Sequence, residues 1–93
     1  MDVRQVLRRG NLLIARAARG EPDVEVLFIC ECVSDFCLEP IVMTPRDFHV
    51  LTEAPGRFVI SDGHEEPTEE EIVGEGPGYA IVEAFAGAWA NAR

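Results

Sequence analysis

Residues 24–37 read VEVLFICECVSDFC, an apolar run that ends in a Cys-Glu-Cys triplet with a third cysteine five residues on. Branched and aromatic side chains mark Val24 to Cys30 as a strand, and from Val26 both faces are apolar, which predicts a central one. Cys30 and Cys32 then stand where the strand ends, and Cys37 follows the turn through Val33 to Phe36. Three soft ligands from one tight turn call for a fourth, because zinc in structural sites is four-coordinate and tetrahedral. The histidines are His49 and His64. On a helix beginning at Thr44, Phe48 and Leu51 mark the inner side and His49 points away from them. His64 lies in a glycine-containing turn at the end of a strand, so the expected metal site is Cys30, Cys32, Cys37 and His64, with zinc as the cofactor.

Working outward, Val3, Val6, Leu7, Leu13, Ile14 and Ala17 recur at helical steps and predict an amphipathic helix from near Asp2, weakened by Gly10 and stopped by Gly20, Glu21 and Pro22. Downstream of the cysteines, Ile41 to Met43 reads as a second strand. Thr44 is a capping residue, Pro45 suits the first helical position, and Met43 with Phe48 occupies the hydrophobic-staple positions. That helix ends before Pro55 and Gly56. Arg57 to Ser61 is a third strand, Glu65 to Glu71 is too acidic for a core and reads as a solvated loop or a frayed turn, and Ile72-Val73 pairs with Tyr79 to Val82 as a hairpin. The fold class is α+β: a small antiparallel or mixed sheet, an N-terminal helix, a short helix near 44–52 and a zinc-clamped turn. All 93 residues are expected to form one domain, with a basic helix over 1–20, a zinc-binding core over 24–83 and an apolar tail over 84–93.

A chain this short hides a small fraction of its surface, so a staple is expected. Three cysteines, an odd number, with no signal segment and no membrane-length apolar run, point to a reducing cytoplasmic location and to ligands rather than disulfides. The net charge is −9, yet Arg4, Arg8, Arg9, Arg16 and Arg19 oppose Asp2 alone in the first twenty residues. The remaining acidic field repels a nucleic-acid backbone, and neither nucleic acid nor membrane is expected as a partner.

The string Cys30-Glu31-Cys32 with Cys37, Thr44-Pro45 with Phe48, Arg57-Phe58-Val59, and Gly63-His64-Glu65 with Pro67 resembles a set of small uncharacterised actinobacterial proteins. These carry a C-E-C-x4-C turn, a T-x-E-E-Y helix and an R-F-V-x-x-x-G-H-E-x-P segment. The resemblance covers about residues 24–83. It implies zinc binding through His64 rather than His49, and it carries no activity. The apolar end from Ala84 to Arg93 departs from the charged tail expected of that set.

Three thiolates and one imidazole saturate zinc and leave no position for water, so the expected function is a non-catalytic protein-interaction or regulatory module. Its contact residues are expected to be Arg4 and Arg8 on the basic helix and Phe85 and Trp89 at the end of the chain, meeting a protein partner or a second copy in a homodimer. An alternative is a zinc hydrolase or deaminase-like enzyme, because His64-Glu65-Glu66 matches an H-x-E element. The cysteines, however, precede that element instead of following it as P-C-x-x-C. A thiol redox sensor using Cys30 and Cys32, or an iron–sulfur ligand set, fits the same triplet.

Overall fold

The computed structural model describes residues 3–34 and 37–85. Helix α1 spans Val3–Ala17 and is followed by strand β1, Val26–Ile29, which pairs antiparallel with β2, Pro40–Met43. Helix α2, Pro45–Thr52, leads into β3, Arg57–Ser61, and the chain closes with β4, Glu70–Gly76, and β5, Tyr79–Ala84. The second sheet is antiparallel in the order β3-β5-β4. The α+β class is therefore realised as a two-stranded hairpin and a three-stranded sheet with two helices.

Local signals account for α2. Thr44 Oγ1 accepts the Asp47 N–H at 3.1 Å, Pro45 opens the first turn, and Met43 and Phe48 are both buried. Phe48 stacks on Phe28 of β1 with ring centroids 4.5 Å apart, which joins the helix to the hairpin. Phe58, Val59 and Ile60 of β3 and Ala80, Ile81 and Val82 of β5 complete the core.

Three expectations change. First, β1 is not a central strand: it has one strand partner among the described residues, and its Leu27 is exposed across from Val42, which is also exposed. The strands buried on both faces are β3, where residues 58–61 are all buried, and β5, where residues 79–82 are. Second, the acidic stretch does not end as a loop at Glu71. Glu70 and Glu71 belong to β4, and Glu70 is 2% exposed because Arg4 reaches it at 2.5 Å.

Third, α1 turns a different face inward. Its buried residues are Arg4, Asn11 and Ala15, while Val3, Val6 and Leu13 from the apolar stripe are exposed. Arg4 and Arg8 were expected on a contact surface. Instead Arg4 is buried, and Arg8 is bonded to the buried carboxylate of Glu31, between Cys30 and Cys32. Buried acids at Glu31 and Glu70 demand cationic partners, and that demand outweighs the burial of the valines and leucine. Phe85 is exposed and donates its N–H to the Glu69 carbonyl at 2.9 Å. Asp2 and Trp89 lie outside the described residues.

Candidate metal centre

Strand β1 delivers Cys30 at its end, where the Cys30 N–H donates to the Glu39 carbonyl at 2.8 Å and prolongs the hairpin ladder by one bond. Cys30 and Cys32 are both buried, and Cys37 is partly buried. After Cys37 the chain returns to β2 through Leu38, whose φ of 49° lies in the left-handed region that a leucine rarely adopts. The fourth group comes from the other sheet. Beyond β3, Asp62 and Gly63 form a turn with Gly63 at φ 82°, the His64 N–H returns to the Ser61 carbonyl at 3.1 Å, and the imidazole lies against the cysteines.

One ligand atom from each of Cys30, Cys32, Cys37 and His64 can be chosen so that all four lie within 4.8 Å of one another. His64 Nδ1 is 3.6 Å from Cys30 Sγ and 3.4 Å from Cys37 Sγ. A tetrahedral zinc with arms of about 2.3 Å to sulfur and about 2.0–2.1 Å to nitrogen has sulfur–nitrogen edges of about 3.6 Å, so these separations match an ion's coordination shell. The donor set therefore fits a single metal ion.

The surroundings orient these donors. His64 Nε2 lies 2.9 Å from the Glu39 carboxylate, a contact that holds the ring with Nδ1 toward the sulfurs. The Ser61 N–H donates to Cys30 Sγ at 3.3 Å. As thiols, the two buried cysteines differ. Burial pushes Cys30 up to about 12, against the lowering effect of the Ser61 and Cys32 backbone N–H groups. Burial also acts to raise Cys32, but hydrogen bonds with His64, the Ser34 backbone, Cys37 and Cys30 together bring it below the ordinary thiol value. A buried thiol that resists ionisation is a poor free nucleophile, and a cation among the sulfurs reverses that preference.

Between the two thiols, Glu31 is fully buried. Its carboxylate accepts Arg8 Nε at 2.7 Å on Oε2 and Arg8 Nη2 at 2.8 Å on Oε1, along with Asn11 Nδ2 at 2.9 Å and the Val59 N–H at 2.9 Å. Its own N–H donates to the Val59 carbonyl at 2.8 Å, and its carbonyl accepts Arg4 Nε at 2.7 Å. Reading the sequence for ligands passed over Glu31, Glu39, Arg8 and Asn11 as parts of the centre. The available signal was Arg4, Arg8 and Asn11 at spacings of four and three, a polar stripe on one face of a helix that otherwise looks amphipathic. His49 is exposed on α2 and takes no part in the four-residue cluster.

No helix among the described residues is long and apolar enough to cross a membrane. No protein-family model matches the chain, and no curated protein or solved structure is significantly similar to it.

Proposed function

We propose that this chain is a small cytoplasmic zinc protein whose ion is structural and whose role is a non-catalytic protein-interaction or regulatory one. The observation that carries this reading is the convergence of three cysteines and His64, drawn from both sheets, within 4.8 Å. Zinc is preferred because a closed set of three thiolates and one imidazole is a recurrent structural zinc shell, whereas iron–sulfur clusters are held chiefly by four thiolates. The resemblance to the small actinobacterial proteins supports the same ligand set.

Four protein donors leave no coordination position for a water nucleophile, which weighs against the hydrolase and deaminase alternative. Cys30 is buried and resists ionisation, which weighs against a redox sensor built on an exposed thiolate. Three thiolates against a dication leave one negative charge at the centre, a poor Lewis acid. What the ion supplies is a covalent-strength link between the β1–β2 hairpin and the β3-β5-β4 sheet, contributed to folding free energy.

Elemental analysis of untagged protein expressed in zinc-replete medium tests the reading. One zinc per chain is expected. Iron, or no metal, overturns it.

A further inference from the structure

Resting on the zinc reading above, we propose that α1 is clasped to the metal centre through Glu31. Arg8 and Asn11 are then positioning residues for the ligands, and helix docking and metal loading strengthen one another.

The argument starts from the Cys30-Glu31-Cys32 segment, whose neighbouring side chains have different surroundings. Cys30 meets His64 and the Ser61 N–H, whereas Glu31 meets Arg8, Asn11 and the Val59 N–H. That division is the alternation expected of extended backbone, in which successive side chains point to opposite faces. The candidate metal site and the helix therefore share one three-residue segment, and displacement of that segment disturbs both.

Charge strengthens the link. An ionised carboxylate out of contact with water is costly unless it is paired and hydrogen-bonded, and here it stands between two thiolate ligands of a centre that is itself negative. Arg8 supplies the neutralising charge in a two-point contact, and Arg4 adds a second cation at the Glu31 carbonyl. Asn11 does more than complete the carboxylate. Its Nδ2 donates to the Ile29 carbonyl at 2.8 Å and its Oδ1 accepts the Ile29 N–H at 2.8 Å, so one amide satisfies the open edge of β1 immediately before Cys30. Without α1 the segment between the ligands carries an unpaired buried acid and an unpaired strand edge. Without the ion, the turn that holds Glu31 against the helix loses its fixed point. A free-energy coupling between two binding events is reciprocal, so each stabilises the other.

Zinc affinity is measured by competition with a chromogenic chelator for the parent, Arg8→Met, Arg8→Lys and Asn11→Ala. The Co²⁺-loaded forms report ligand geometry through their d–d absorption bands. Loss of a residue that orients metal ligands typically weakens binding about 10–100-fold, and that range is expected for Arg8→Met and Asn11→Ala, with shifted Co²⁺ bands and a smaller loss for Arg8→Lys. Leu51→Ala, at a partly buried core position that makes none of the clasp's hydrogen bonds, should lower stability and leave the Co²⁺ bands in place. Parental affinity and spectra in Arg8→Met and Asn11→Ala overturn the proposal.

Because these variants can fail to fold, hydrogen exchange on the parent chain with and without zinc provides a second test. Exchange across residues 3–17 should rise on zinc removal while residues 57–61 and 79–84 stay protected. Continued protection of residues 3–17, or simultaneous loss everywhere, also overturns the link. A parent that binds no zinc is a separate result, which removes the zinc reading itself.

Discussion

The contact between His64 Nε2 and Glu39 holds the ring with Nδ1 toward the sulfurs. Both side chains are partly open to water, at 32% and 53% exposure, so this contact is weaker than the buried one around Glu31. Glu39→Ala is expected to lower zinc affinity by no more than the lower end of the about 10–100-fold range for outer-shell partners. His64→Ala should lower it further, and His49→Ala should leave it at the parental value. Chelator competition on the three variants ranks them, and equal affinity for His64→Ala and the parent would remove His64 from the ligands. His64 was legible beforehand because a turn glycine at the end of a strand is a local feature. Glu31 was not, since its partners lie far along the chain: Arg8 is 23 residues away, Arg4 27 and Val59 28. No periodicity within a window of ten or fifteen residues encodes a pairing of that kind.

The same distinction separates the two helices. The signals that start α2 lie in Met43 to Phe48 and those that end it at Pro55 and Gly56, all in or beside the helix itself, whereas the rotation of α1 about its own axis is decided by acids on other elements. Glycines show the contrast between an element's own preferences and its neighbours. Gly10 sits in the middle of α1, where a Cβ would meet nothing within 4 Å. Gly10→Ala should therefore stabilise the protein by up to about 1 kcal/mol, the helix-propensity difference between the two residues. Gly76 pairs with Tyr79 across the β4–β5 hairpin, and a Cβ there would fall within the tyrosine ring. The ring has to move, so Gly76→Ala should cost about 1–3 kcal/mol, as overpacking does. Urea unfolding of both zinc-loaded variants gives the two signs directly. A loss for Gly10→Ala would mean that the exposed side of α1 is occupied.

On the scale of the whole molecule, the described residues form two small sheets and two helices, and the radius of gyration is 12.4 Å, close to the about 12 Å expected of a compact chain of this length. Compactness is reached while apolar side chains remain outside: Val3, Val6 and Leu13 on α1, Leu27 and Val42 on the hairpin. The turning of Arg4 and Arg8 inward changes what the basic helix can offer a partner. Arg9, Arg16 and Arg19 remain exposed near that apolar stripe, on a molecule whose net charge is −9. A second copy presents acidic surface of the complementary sign, and contacts between opposite exposed charges weaken as salt shortens their range to about 8–10 Å at ordinary ionic strength. Of the two partners expected from the sequence, a second copy should accordingly dock through α1 and respond to salt. Light scattering of the zinc-loaded protein is expected to show mass rising toward two chains with concentration in dilute buffer and falling back when salt is added. Leu13→Ser should give a single chain under both conditions, because a polar hydroxyl replaces a side chain that is 62% exposed and contributes little to the core. A mass of one chain at every concentration and salt level for the parent would leave the stripe without a copy of itself as partner, and a dimer unchanged by Leu13→Ser would place the interface elsewhere.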